Sequence, residues 1–373
     1  LFLVYALTLI PGLLIGGPAS DRFGRRPVVW PFVALSPVAT LLLVLGPRSL
    51  AVIAVGRALA GLCSGVVFGA ATAWVQDVSP DEGPSNGLSV RRSALALTAG
   101  FGLGPVVAAG LAQWVSDPLV VPYLPHLVIG TVAAVVLAGT PEGAASRSPA
   151  RVRPVAKARR WPPAAVRTRR FWLAVAPGSP LVFGSVALAI VVLPEEVTSA
   201  RTLSAGFAGL MTVLSFAAGV AVQSFARRLR DVLAGVVAGL VCAAAGCAVG
   251  IAAVASADRV LAGIAAVLLG LAYGLCLVSG LRQAEHMASP DERGAVIACY
   301  YAVAYLGFAV PYLAAGLGAL AGKSGAFVAL TAIITALALW TAGYAASLRR
   351  SSGRPEGDAI VRWSRRNRDS VSR

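Results

Sequence analysis

The chain is 373 residues long, 57% hydrophobic and only 13% charged, with a mean hydropathy of +0.78. Soluble domains carry about 25% charged residues, so a water-soluble globule of this length would be short of polar surface. The 32 basic residues outnumber the 16 acidic ones and leave a formal charge of +16. Composition therefore places the chain in a lipid bilayer and excludes both a disulfide scaffold and an ordinary cytosolic enzyme.

The gaps between charges give the elements in chain order. Uncharged intervals run 1–20, 27–47, 58–76, 93–116, 118–141, 171–194, 202–226, 232–257, 260–281, 294–322 and 324–348. The third reaches back to Leu50 if Arg57 is tolerated inside it. A helix crossing the hydrocarbon core needs about 20 residues, which each interval can supply. Backbone groups in lipid must be satisfied internally, so all are expected to be helices. Strands of a membrane barrel would be shorter and would alternate polar with apolar residues. In the fifth interval Pro118, Pro122 and Pro125 place the helix start near Pro125 and its end near Gly139. The chain opens inside an apolar run without Met, so a preceding helix is expected to be absent from this sequence.

Basic residues orient the spans. One alternate set of connections, with the tail from Arg349, carries 27 Lys and Arg; the other carries four, namely Arg48, Arg201, Arg259 and Lys323. The positive-inside rule makes the first set cytoplasmic. The charge thus needs no nucleic acid, and the Arg-rich tail is suited to anionic headgroups or to solvent. The organisation expected is a first half at 1–139, a basic cytoplasmic loop at 140–170, a second half at 171–348 and a basic cytoplasmic tail at 349–373. Cys63, Cys242, Cys247, Cys276 and Cys299 lie in apolar stretches without a CxxC pair, and no Cys/His cluster has metal-ligand spacing, so neither metal nor cofactor is expected.

The two halves repeat each other. Gly17-Pro-Ala-Ser-Asp21-Arg22-Phe23-Gly24-Arg25-Arg26 aligns with Gly219-Val-Ala-Val-Gln223-Ser224-Phe225-Ala226-Arg227-Arg228 at an offset of 202. Gly61-Leu-Cys-Ser-Gly65 matches Gly270-Leu-Ala-Tyr-Gly274 at 209, and Ser79-Pro-Asp-Glu matches Ser289-Pro-Asp-Glu at 210. Ala108-Ala-Gly-Leu matches Ala314-Ala-Gly-Leu at 206. Four matches in one order at nearly constant offset indicate an internal repeat.

The run Gly17-x-x-x-Asp21-Arg22-x-Gly24-Arg25-Arg26, set between two apolar spans, resembles the signature loop of the major facilitator superfamily. The resemblance covers Leu1 to about Leu348 and implies an all-α polytopic fold of two six-helix halves around a central cavity, interval 1–20 being helix two. It implies a secondary transporter of small molecules with no enzymatic activity, working by alternating access as a monomer in the plasma membrane. The loop becomes a gating cluster, with Asp21 meeting the start of helix eleven and an arginine pairing with Asp77 at the end of helix four. Gly219, Gln223, Arg227 and Arg228 would be the second-half counterpart. Gly17 is expected to allow close helix approach.

Two further elements resemble family patterns. Arg57-Ala-Leu-Ala-Gly61 is similar to an RxxxG pattern in helix four; Arg57 would face an anionic group or a proton site, or else snorkel to the outer interface. Gly100-x-Gly102-x-Gly104-Pro105 resembles an exporter motif, with Ala108 and Ala109 in place of its glycine pair, and implies a close-packed, kinked helix. Efflux of drug-like molecules coupled to protons is the expected activity. An importer of an organic anion or sugar, and more remotely a polytopic membrane enzyme, are the alternatives; for the enzyme, His126 and His286 show no evident partners. No acid lies mid-span, so a coupling carboxylate is expected in the absent first helix, or from Glu195, Glu196 or Glu285 at helix ends, the remaining alternative being transport without proton coupling. Candidate cavity residues are Trp74, Gln76, Gln113, Tyr273, Tyr300, Tyr301 and Tyr305.

Overall fold

The structure, a computed structural model, describes residues 2–46, 49–78, 100, 103–104, 106–108, 110–142, 162–198, 201–288 and 293–352. Among these residues the regular structure is all helical. Ten elements carry the fold: α1 (Phe2–Phe23), α2 (Arg25–Leu45), α3 (Leu50–Val78), α4 (Leu124–Ala138), α5 (Pro180–Val197), α6 (Arg201–Arg228), α7 (Val232–Ser256), α8 (Arg259–Met287), α9 (Arg293–Tyr305) and α10 (Val310–Ser352). A helical stretch at 110–114 precedes α4. Nine helical segments among the described residues are long and apolar enough to cross a membrane.

Ten of the eleven uncharged intervals map onto these elements; the interval 93–116 lies only in part among the described residues. The last segment, Ala295–Arg350, covers two intervals; Gly322, at φ +75°, breaks it, a conformation that costs glycine little. Helix α3 runs through Arg57, and α4 starts at Leu124, one residue from its expected start, after a 3₁₀ turn at Val121–Tyr123. The interval 171–194 is not one helix. A short helix, Arg169–Ala174, stops at a turn containing Pro177 and Gly178, and the span begins afresh with Pro180 at its first position. Helix α5 then contains a π-helical turn, Leu188–Val192.

Helix pairs repeat between the halves. Helix α1 packs on α3 as α6 packs on α8, α2 on α3 as α7 on α8, and α2 on α4 as α7 on α10. Glycine carries the tightest contacts. A Cβ at Gly61 would collide with the Tyr5 carbonyl and one at Gly65 with that of Leu9; at Gly270 and Gly274 it would meet the carbonyls of Ser215 and Gly219. Small residues thus let backbones approach where lipid supplies no hydrophobic drive. The halves differ in burial. Helix α5 and its neighbours form a large buried cluster with Leu240, Leu269 and Phe327, whereas α4 has no buried residue and exposes Val128, Ile129, Val132, Val135 and Val136.

Candidate functional site

Helix α1 ends at Phe23 and α2 begins at Arg25, so Gly24 alone makes the turn, at φ +98°. Its N–H donates to the Ser20 carbonyl at 3.1 Å, and Arg25 Nη1 donates to Ser20 Oγ at 2.6 Å. The first N–H groups of a helix lack internal partners. Glu142, beyond the end of α4, supplies them: the Arg26 N–H donates to Oε1 at 2.8 Å and the Arg25 N–H to Oε2 at 3.3 Å. A carboxylate there also meets the positive end of the helix dipole. The Arg26 guanidinium donates to the Ala138 carbonyl, and that of Arg22 lies 5.1 Å from the centroid of Phe23. A Cβ at Gly24 would stand 3.0 Å from Glu142 Oε1, so this glycine serves both the turn and the approach of the acid. The side chains of Asp21, Gln76 and Asp77 lie outside the described residues, as does Pro105.

Gly17 does not make the close helix contact expected of it. Among the described residues nothing stands within 4 Å of a Cβ placed there; the contact belongs to Gly16, where a Cβ would lie 2.7 Å from Val66 Cα, and to Gly12. One residue turns the helix by about 100°, which rotates Gly17 away from α3. Gly100 and Gly104 likewise have no described neighbour within 4 Å.

The second half builds a comparable cluster from other residues. Gly219 lies against Tyr273 and the Gly270 carbonyl, surroundings unlike those of Gly17. Gln223 is buried near the end of α6, and Arg227 and Arg228 are exposed in its last turn. Arg282 of α8 caps that end, Nη1 donating to the carbonyls of Ala226 at 3.1 Å, Arg227 at 3.2 Å and Leu229 at 3.2 Å. Asp231 caps α7, Oδ1 accepting from the Leu233 and Ala234 N–H groups, each at 3.0 Å, while Oδ2 pairs with Arg349 at the end of α10. Burial works against the ionised Asp231 carboxylate. The Ala234 N–H and the Arg349 guanidinium prevail and hold it below its ordinary value.

The halves meet in an aromatic seam. Tyr5 of α1 stands edge-on to Phe308, in the 3₁₀ turn after α9, with centroids 6.2 Å apart. Phe308 lies 5.1 Å from Phe183 of α5 and 5.6 Å from Tyr305, and Phe183 stacks on Tyr305 at 4.4 Å. Ser64 of α3 hydrogen-bonds the Tyr5 hydroxyl, and the charge of Arg57 on the same helix acts on it. On the other flank, a Cβ at Gly206 of α6 would lie 3.0 Å from Gln113 Oε1.

Other candidates are taken up by packing. Trp74 is buried with Val29 and Ala70, and its indole N–H donates to the Pro141 carbonyl at 3.3 Å. Tyr300 is fully buried and donates to the Cys276 carbonyl of α8 at 2.9 Å. Tyr273 packs edge-on to Phe216, 5.6 Å away, and Tyr301 lies 5.5 Å from Tyr300, near Glu285. His126 has partners after all: Thr40 Oγ1 lies 2.8 Å from Nδ1 and Ser36 Oγ 3.4 Å from Nε2, tying α4 to α2. Among the described residues no group of three His, Cys, Asp or Glu is placed to hold a metal. Sequence reasoning missed Tyr5, Phe183 and Phe308, which are ordinary aromatics in apolar runs, and Glu142, whose only signal is an acid just past a span.

Paired helix contacts thus recur in two groups of helices that meet along an aromatic seam. Residues 1–183 match the model of the Major Facilitator Superfamily. Similar solved structures include a mutant of the nucleoside transporter NupG, with a TM-score of 0.70 and 11% identity over 91% of this chain and 89% of that one. The human organic anion transporter MFSD10 (TETRAN) has a TM-score of 0.63 and 20% identity over 91% and 82%. A D-xylose-proton symporter has a TM-score of 0.63 and 16% identity over 91% and 85%. No curated protein matches the chain in sequence.

Proposed function

We propose that this transporter works by alternating access and exports small amphipathic organic molecules in exchange for protons, with the basic ends of its helices in the cytoplasm. The observation that carries this reading is the seam: Tyr5 of one half meets Phe308 of the other edge-on, and Ser64 hydrogen-bonds the same tyrosine. Aromatic rings with a few polar groups suit amphipathic solutes. The positive-inside rule supports the orientation. For coupling, Glu196 is occupied by Lys323, whose Nζ lies 2.6 Å away. Glu285 is partly buried near the end of α8, and among the acids at described helix ends it is the one assigned to coupling. The gating role of Asp21 and Asp77 belongs to the same proposal.

Reconstituted protein tests the reading. Vesicles should accumulate an amphipathic test compound when a pH step is imposed. Asp21→Asn should slow the flux, and Glu285→Gln should uncouple it from the gradient. Flux indifferent to the pH step discards proton coupling, and flux unchanged by Asp21→Asn discards the gate. Import by symport is the second reading, favoured by the likeness to a D-xylose-proton symporter. Deleting the protein would then lower intracellular substrate rather than raise it.

A further inference from the structure

The segment leading into α5 has two faces. Ala165, Val166, Phe171, Ala174 and Val175 are buried in the second-half core. The segment packs against α8, α9 and α10. Thr168 fixes the turn, donating to the Ala165 carbonyl at 2.6 Å and accepting from the Phe171 N–H at 3.3 Å. Arg167, Arg169, Arg170 and Trp172 are exposed on the other face. Among the described residues none of these arginines has an acidic partner. Arg169 and Arg170 open a helix, where the dipole disfavours cations, so they do not serve the helix's own stability.

Depth in the membrane selects the occupant. Six residues after Ala174, Pro180 starts a membrane span, so this face lies at headgroup level. Trp172 is 54% exposed, and its ring N–H is already given to the Val166 carbonyl at 2.9 Å, as suits an interfacial aromatic. We propose that Arg167, Arg169, Arg170 and Trp172 form a docking site for the phosphate of anionic phospholipid headgroups, anchoring the base of α5. The proposal rests on the membrane fold and not on any transported substrate.

The full chain is placed in nanodiscs of phosphatidylcholine with increasing phosphatidylglycerol, and lipid retained after extraction is read by native mass spectrometry. Wild type is expected to retain phosphatidylglycerol preferentially. Changing the three arginines to Gln should weaken that retention by roughly fivefold per charge removed, and changing them to Lys should preserve it. Equal retention by wild type and the Gln variant overturns the proposal. So does equal loss in the Gln and Lys variants with a lowered unfolding midpoint in phosphatidylcholine alone, which would report lost packing. Inorganic phosphate added in detergent provides the last arm. If it stabilises wild type but not the Gln variant while phosphatidylglycerol does neither, the site binds a free anion and the headgroup assignment fails.

Discussion

Arg26 and Glu142, 116 residues apart in sequence, are joined by a 2.8 Å hydrogen bond from the Arg26 N–H to Glu142 Oε1. The bond ties the first turn of α2, which carries Arg25 and Arg26, to the chain leaving α4. In the second half the same two positions, the start of α7 and the end of α10, are joined by Asp231 and Arg349. In both halves an acid caps the start of the helix, Glu142 arriving from beyond α4 and Asp231 standing at its own helix's N-cap.

Removing the acid in the first half should loosen α2. Loss of a helix cap costs about 0.5–2 kcal/mol, and Glu142→Ala should lower stability within that range. Glu142→Gln, which keeps an acceptor, should lose less. Unfolding midpoints of both variants in one detergent check this. A Gln variant as damaged as the Ala variant would mean that charge, not capping, makes the bond.

The second-half pair predicts a pH dependence. The folded Asp231 carboxylate ionises below its ordinary value of about 3.9. A depressed acid contributes stability above its unfolded pKa and loses it as pH falls through the folded one. Asp231→Asn keeps a capping side chain but loses the charge facing Arg349. The stability difference between wild type and this variant should therefore be constant above about pH 5 and shrink below about pH 4. A difference that grows on acidification would reverse the assignment.

Much of this fold is written in the charge spacing. Most of the helices fall on intervals between charges, with Arg57 inside α3 and Lys323 inside α10 as exceptions, because a charge in the hydrocarbon is costly enough to punctuate the chain. The break between Ala174 and Pro180 escaped that reading, since Pro177 and Gly178 interrupt a helix without carrying charge. The site was less legible. Motif spacing located the Gly24 turn but not Glu142, which arrives from a remote position. It also assigned close packing to Gly17, where the neighbouring Gly16 makes the contact. Aromatic identity alone did not separate Tyr300, locked onto α8, from Tyr305, stacked on Phe183 in the seam.

Arg282 closes the end of α6 through three carbonyls. Hydrogen bonds from charged groups contribute about 1.5–3 kcal/mol each, though donors on one nitrogen share that gain. Arg282→Met should destabilise the protein by about 2–3 kcal/mol. Arg282→Lys should recover part of the loss, because its ammonium carries donors on one nitrogen but on a shorter side chain that does not reach the Nη1 position. Proteolysis at the turn around Leu229 should rise in the Met variant, and an unchanged cleavage rate would remove the capping role.

The glycines separate packing from motif identity. A Cβ at Gly65 or Gly270 collides with backbone of the paired helix, whereas Gly17 has no described neighbour within 4 Å. Backbone cannot yield as a flexible side chain does, so Gly65→Ala and Gly270→Ala should each cost about 1–3 kcal/mol through overpacking. Gly17→Ala should be neutral or stabilising by up to about 1 kcal/mol, because alanine is the better helix former. Reconstituted unfolding midpoints rank the three variants. If Gly17→Ala proves as damaging as Gly65→Ala, the first motif glycine has a packing partner. If all three are neutral, the paired helices stand further apart than these contacts require.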